Sequence, residues 1–133
     1  MTFAFNPVSQ FLYMNYGMYP REPAYYVEAP SERITGKNAQ PPNELDFEAL
    51  KSLRDGTPIL RKIDEIVLGF ALDWHHEYFF ETKARCYIVK DKGNPVGYVY
   101  VSPEGRVGPM AVNSSEFTGG VLEKALGLSA VRA

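Results

Sequence analysis

The sequence predicts a single α+β domain in which helices surround an antiparallel sheet. Three strand-like runs of apolar and aromatic residues follow one another closely between residues 84 and 112, and helical patterns stand before and after them. Strands separated by such short turns pair as an antiparallel meander. With 133 residues, of which 45% are hydrophobic, the chain is large enough to bury a core.

The composition excludes several classes of protein. The net charge of -2 is mixed along the chain, which gives no basic surface for nucleic acid. No apolar run approaches the roughly 20 residues of a membrane span, and no secretory signal pattern is visible. The single cysteine, Cys86, excludes an intrachain disulfide and is predicted to be a buried core thiol. We therefore expect a cytoplasmic protein that binds neither nucleic acid nor membrane.

The chain divides into two unequal pieces around a linker. Residues 34–44 contain glycine, a proline pair and polar residues without periodicity, which is typical of a loop. The sequence therefore predicts a helix–strand piece over residues 1–33, a linker over 34–44 and a larger piece over 45–133, all in one compact domain.

The first piece begins with a helix over residues 6–17. Asn6 is a suitable N-cap, Pro7 fits the first helical position and Gly17 fits a left-handed C-cap. The apolar residues at helical spacing are Val8, Phe11, Leu12 and Tyr16. Residues 22–30, short, aromatic and bounded by prolines, predict a strand near a sheet edge.

The larger piece opens with three predicted helices. Residues 45–56 predict a short helix that Gly56 ends, and residues 57–69 a longer one with Thr57 as cap and Gly69 as stop. Residues 73–82 predict the third, capped by Asp73. The buried stripe of the second helix is predicted to be Ile59, Ile63, Ile66 and Val67.

The meander and a last helix follow. The predicted strands span residues 84–91, 95–102 and 106–112, joined by a turn at 92–94 and a β-turn containing Pro103 and Gly105. In the third strand Gly108 permits unusual dihedral angles and Pro109 cannot donate to a ladder, so a break in strand pairing is expected there. The last helix, within residues 114–128, is predicted to be capped by Asn113 or a serine, with Glu116 placed as in a capping box.

Residues 86–115 resemble the central part of a GNAT-type N-acetyltransferase, which has the acyl-CoA N-acyltransferase fold. In that family an antiparallel meander leads to a bulged strand and then to a pyrophosphate-binding turn and helix, and acyl-CoA lies beside the bulged strand. The stretch VGPMAV is similar to that strand. The resemblance implies that the main chains of Met110 and Val112 contact acetyl-CoA, and that Thr118, Gly119 and Gly120 form the cofactor turn.

The first piece resembles the late GNAT helix, with matches at Asn6, Leu12, Tyr13 and Gly17. In many members the tyrosine protonates the leaving thiolate, so the resemblance implies Tyr13 as the catalytic acid; a half-buried helix aromatic is the alternative. The segment that resembles the late GNAT helix comes first in this chain, and the segments that resemble the early and middle parts of the family follow the linker. This order resembles the junction of a tandem-GNAT protein, where one repeat ends and the next begins.

The cofactor turn departs from the family pattern. Phe117 replaces an arginine or glutamine, Leu122 replaces a small residue, and Glu116 would repel a diphosphate. We therefore expect acetyl-CoA binding at this turn to be weakened or lost. Close packing of a helix on a strand is the alternative explanation of Gly119 and Gly120.

Two functions remain open at this point. One is transfer of an acetyl group from acetyl-CoA to an unidentified amine. The other is a non-catalytic GNAT-like module that forms a homodimer or binds a partner. No metal site is expected, because adjacent helical residues such as His75 and His76 diverge; they are predicted to be surface or capping histidines, and Asp64 and Glu65 to be solvated charges.

Overall fold

A computed structural model describes residues 7–18 and 45–130 of the chain. These residues form a mixed α+β structure with four helices and one four-stranded antiparallel sheet. The elements, in chain order, are α1 (Pro7–Asn15), β1 (Asp46–Ala49), α2 (Leu53–Leu68), α3 (Asp73–Glu81), β2 (Arg85–Asp91), β3 (Asn94–Val101), β4 (Val107–Val112), a 3-10 turn (Ser115–Phe117) and α4 (Thr118–Ala130).

The predicted three-stranded meander is confirmed as β2–β4, and the sheet has one strand more than expected, β1. The strand order is β1-β2-β3-β4, with every neighbouring pair antiparallel. Lys92 (φ 49°) and Gly93 (φ 83°) both adopt the left-handed conformation that a two-residue hairpin turn requires. In the β3–β4 turn, Gly105 has φ 84° and its N–H donates to the Ser102 carbonyl at 3.1 Å, as the β-turn prediction expects.

The prediction of a helix over residues 45–56 is wrong. Its first half is strand β1, in which Phe47 pairs with Val89 and Ala49 with Tyr87. Its second half already belongs to α2, and Gly56 lies inside that helix against the Leu50 side chain rather than ending it. The apolar residues alternate with acidic ones from Leu45 onward, a period of two that the good helix formers in this stretch conceal.

Helix α2 therefore begins earlier than predicted. Ser52 holds the N-cap position, while Thr57 lies inside the helix and donates to the Leu53 carbonyl at 2.8 Å. The end is as predicted, because Gly69 adopts φ 84° and donates to the Glu65 carbonyl at 3.1 Å. The predicted stripe is partly wrong, since Ile66 is 58% exposed and Val67 40%. The buried residues of α2 are Gly56, Leu60, Ile63 and Asp64.

The remaining helix boundaries differ by small amounts. Helix α1 ends as predicted, with Gly17 at φ 79°. In α3 the cap position belongs to Leu72 and Asp73 lies in the first turn. Ser114, one of the predicted alternatives, precedes the 3-10 turn, but its side chain makes no capping hydrogen bond. The predicted N-cap Asn6, the predicted strand over 22–30 and the linker over 34–44 lie outside the described residues.

Helices cover both faces of the sheet. Helix α4 packs on one face, where Val89, Val99 and Val121 are fully buried. Helices α2 and α3 pack on the other, around Leu60 and Tyr100. Because side chains alternate along a strand, β3 contributes valines to the first core and tyrosines to the second. Helix α1 has no buried residue.

Candidate functional site

The predicted break in strand pairing is present in β4. Val99 pairs with Met110 and Val101 pairs with Val107, so two steps along β3 correspond to three along β4. The extra length is absorbed at Gly108, which has φ 122°, and the Gly108–Pro109 peptide bond is cis. A bulge of this kind bends its strand and interrupts the ladder locally.

Beyond the break, alternate residues of β4 direct their backbone groups toward and away from β3. The Asn113 N–H donates to the Val96 carbonyl at 2.9 Å. Since hydrogen-bonding direction alternates along an antiparallel strand, Ala111 also faces β3, and the backbone groups of Met110 and Val112 face outward. Among the strands of residues 45–130, β4 is an edge of the sheet. The two predicted contact residues thus present main-chain groups along one sheet edge.

The start of α4 is less open than a phosphate-binding helix terminus. The 3-10 turn already uses two N–H groups, because Phe117 donates to the Ser114 carbonyl at 3.2 Å and Thr118 donates to the Ser115 carbonyl. Fewer donors remain for an anion at this end of the helix.

Gly119 and Gly120 have different surroundings. Gly120 is buried, and a Cβ added to it would lie 3.4 Å from Leu45 Cδ1, which is packing against the segment that leads into β1. Gly119 is exposed, and a Cβ added to it would have no atom within 4 Å. Gly120 therefore packs beside Leu45, where an added Cβ would make only an ordinary contact, and the surroundings of Gly119 are open.

Apart from Lys124, the side chains of residues 113–125 carry no positive charge. The Phe117 side chain is buried in the core beneath α4, while Glu116 is exposed and Leu122 is 41% exposed. The one basic residue in the first two turns of α4 is Lys124. Its Nζ donates to the Leu45 carbonyl at 2.7 Å and lies 4.7 Å from the centre of the Phe47 ring, so it is already engaged.

Tyr13, the predicted acid, lies on α1 and is 41% exposed. Since no residue of α1 is buried, packing does not fix the Tyr13 hydroxyl against β4. The structure thus brings Met110 and Val112 together with the start of α4 through one core, and it does not bring Tyr13 into that arrangement.

A buried polar cluster on the opposite face is not predicted by the sequence. Asp64, fully buried, accepts hydrogen bonds from the Leu72 N–H at 3.0 Å, from His76 Nε2 at 2.9 Å and from the Tyr98 hydroxyl at 2.9 Å. His76, 4% exposed, places Nδ1 2.8 Å from the Tyr100 hydroxyl. The predictions of a solvated Asp64 and a surface His76 are therefore wrong, whereas Glu65 is exposed as expected.

Burial keeps the Cys86 thiol beside this cluster, and the two tyrosine hydroxyls within it, in their neutral forms. Burial raises the pKa of the Cys86 thiol to about 12, and Cys86 is 1% exposed, as the core-thiol prediction expects. Burial, and then the hydrogen bond to Asp64, raises the pKa of Tyr98. Burial also raises the pKa of Tyr100.

The cluster is not arranged to act on a substrate. Both nitrogens of His76 are hydrogen-bonded, and Tyr100 and Asp64 are inaccessible to solvent. A pocket of about 120 Å³ adjoins the histidine; its lining is Leu53, Thr57, Arg61, Asp73, His76 and Glu77. There the hydrogen bond from Arg61 lowers the pKa of Asp73. A histidine without a free nitrogen cannot serve as base toward this pocket.

One sequence signal points to this cluster. Asp64 falls on the same face of α2 as Leu60, four residues earlier, which places a carboxylate on a core stripe. Within the described residues, no group of three or more histidine, cysteine or acidic side chains could hold a metal ion. Over the same residues, no helix is both long and apolar enough to cross a membrane.

Comparison with known proteins identifies no relative: no family model, no curated protein and no solved structure matches the chain.

Proposed function

We propose that this chain is a GNAT-like acyltransferase-fold protein that binds acetyl-CoA along the outer edge of β4. The observation that carries the proposal is the break at Gly108–Pro109, beyond which Met110 and Val112 direct backbone groups away from the sheet. The element order also supports it, since an antiparallel meander leads into a bulged strand and then a helix.

In the proposed reaction an amine attacks the thioester carbonyl of acetyl-CoA directly. The carbon–nitrogen bond forms, the carbon–sulfur bond breaks, and the thiolate leaves. An outward N–H of Met110 or Val112 would stabilise the negative charge that develops on the carbonyl oxygen. The amine gives up one proton to solvent water, the thiolate takes one from an acid, for which Tyr13 is the candidate, and solvent returns a proton to the phenolate. The Tyr13 hydroxyl has to be positioned beside the thioester sulfur to act so.

The proposed affinity for acetyl-CoA is low. The 3-10 turn consumes N–H groups at the start of α4, Phe117 occupies the position of a basic or amide residue, and Lys124 is engaged elsewhere. The pantetheine and thioester would therefore contribute more to binding than the diphosphate.

Thermal unfolding with and without acetyl-CoA tests the proposal. A ligand that binds the native state at 100 times its dissociation constant adds about 2.7 kcal/mol of stability, which raises the melting temperature measurably. The melting temperatures with acetyl-pantetheine alone and with ADP alone show how much each end of the cofactor contributes to binding. No shift at millimolar acetyl-CoA would sink the proposal.

Two matched pairs of variants locate the site. Val112→Pro removes an outward N–H that the ladder does not use, while Val112→Ala keeps it; only the proline variant should lose acetyl-CoA binding. Gly119→Glu adds a carboxylate at the start of α4, and Gly127→Glu adds one to the same helix two turns later, both at exposed glycines with open surroundings. Weaker binding in Gly119→Glu alone assigns the diphosphate to this turn.

A second candidate function is a non-catalytic module that self-associates. It is favoured by two exposed apolar surfaces. Helix α1 has no charged residue in PVSQFLYMN, and its Val8, Phe11 and Leu12 are 78%, 66% and 55% exposed. Near the α2–α3 connection, Phe70 and Trp74 are 59% and 67% exposed. Such surfaces are typical of contacts with another chain. In a homodimer the α1 surface of each copy would pack on the α2–α3 surface of the other.

Trp74 reports on this association directly, because it is the only tryptophan of the chain. Light scattering should give a dimer, and Trp74 emission should move to shorter wavelength as protein concentration rises. If α1 of one copy covers Trp74 of the other, Phe11→Ser should restore the monomer and prevent the shift in Trp74 emission. A monomer with unchanged emission up to high concentration rejects this function.

A further inference from the structure

The buried cluster of Asp64, His76, Tyr98 and Tyr100 packs against the strand next to β4, whose outer edge is the proposed acetyl-CoA site. We infer that these four residues position that edge, so that they are positioning residues for the acetyl-CoA site. The positioning of β4 is argued from the sheet register and the hydrogen bonds. Its effect on acetyl-CoA binding rests on the proposed function.

The register of the sheet places both tyrosines against the broken part of β4. Tyr98 pairs with Ala111, the residue between the two outward-facing positions. Tyr100 stands between Val99 and Val101, where two steps of β3 match three of β4. It is therefore opposite the segment that contains Gly108 and Pro109.

Ala111 transmits the position of the tyrosines to the edge. Its side chain is 9% exposed and belongs to the same core cluster as Tyr98 and Tyr100. Because planar peptide bonds join Ala111 to Met110 and Val112, a shift of Ala111 also moves the backbone groups of these two neighbours. Pairing is interrupted at the bulge on the Met110 side of this stretch, so the ladder constrains that end less than a regular strand would.

The tyrosine rings are held from the helices. Tyr98 donates to Asp64 of α2 at 2.9 Å, and the Tyr100 hydroxyl bonds to His76 of α3 at 2.8 Å. The His76 ring meets Tyr98 edge-on, with centroids 5.1 Å apart, and stacks on Tyr100 at 5.9 Å. Asp64 and His76 bond to each other at 2.9 Å, so the cluster joins α2, α3 and β3 into one unit.

Tyr100→Phe and Tyr98→Phe test the inference, because each keeps the ring and removes one hydroxyl. The matched control is Tyr87→Phe, on the α4 side of the neighbouring strand β2. Two readouts are needed: backbone amide chemical shifts and hydrogen exchange at Met110, Ala111 and Val112, which need no ligand, and the dissociation constant of acetyl-CoA.

We expect both cluster variants to change the three amides and to weaken acetyl-CoA binding about tenfold, and the Tyr87→Phe control to do neither. Amides that remain unchanged in both cluster variants overturn the inference. Altered amides with unaltered affinity also overturn it, since the cluster would then position β4 without serving the acetyl-CoA site. If the unaltered protein binds no acetyl-CoA, the proposed function fails, and the amide measurements still decide whether the cluster positions β4.

Discussion

Cys86 shows how strongly burial controls a single ionisable group in this chain. Its thiol is 1% exposed, and burial raises its pKa from 9.0 to about 12. A raised folded-state pKa means that the folded protein holds the proton more tightly than the unfolded chain. The corresponding stability is complete below pH 9 and is lost as the pH rises from 9 toward 12.

The prediction is that Cys86→Ala flattens the alkaline decline of stability. One group titrating across this window contributes about 1.4 kcal/mol of destabilisation per pH unit, and the variant lacks it. Denaturant unfolding of both proteins at about pH 8, 9, 10 and 11 measures the difference, to which Tyr98 and Tyr100 also contribute, because burial, and to a lesser extent Cys86, raises the pKa of each. Equal slopes would show that the thiol ionises in the folded state without penalty.

At the scale of elements, the contact between β3 and β4 depends on a residue without a side chain. A Cβ at Gly97 would lie 2.5 Å from the Ala111 carbonyl oxygen and 3.2 Å from Val112 Cα, both of them backbone atoms that cannot rotate away. Gly119, at the start of α4, has open space around it.

Gly97→Ala should therefore destabilise the protein by roughly 1–3 kcal/mol, since overpacking must displace a strand. The matched substitution Gly119→Ala should stabilise it by up to about 1 kcal/mol, because alanine is the better helix former. Chemical denaturation of both variants gives the two values. A Gly97→Ala variant as stable as the parent would mean that β4 moves without cost.

The elements that sequence reasoning finds are those specified by local signals. The strands of the meander, the turns at Gly93 and Gly105, and the break at Gly108 depend on residues that carry their own conformational preference. Strand β1 is missed because its identity comes from pairing with β2, which lies far along the chain, as in the pairing of Phe47 with Val89. There tertiary pairing overrides the helix propensity of leucine, glutamate and alanine.

The candidate site divides in the same way. The break at Gly108 is a local feature that the sequence reveals, whereas Met110 and Val112 are predicted from the family resemblance and their outward direction comes from the register with β3. The cluster around Asp64 is not a local feature, because His76 is 12 residues away and Tyr98 is 34 residues away along the chain. A carboxylate on an apolar stripe indicates a buried partner, but only the packing of α2 and α3 on the sheet determines which residue it is.

At the scale of the whole molecule, one sheet serves two cores. Val99 belongs to the core beneath α4, and its neighbours Tyr98 and Tyr100 belong to the core beneath α2 and α3. Because both cores contain side chains of β3, unfolding of this strand would disrupt both of them. The described residues of the sheet and its helices should therefore unfold together.

Leu60→Ala and Phe117→Ala, one in each core, test this cooperativity. Leu60 is completely buried and Phe117 is 9% exposed. Truncation should cost about 2–5 kcal/mol at the leucine and about 3–5 kcal/mol at the phenylalanine. Trp74 fluorescence reports the α2–α3 side and far-ultraviolet circular dichroism reports the whole chain. In a cooperative fold both probes shift together to lower denaturant in both variants; if Phe117→Ala shifts the dichroism but leaves the Trp74 transition in place, the two cores unfold independently.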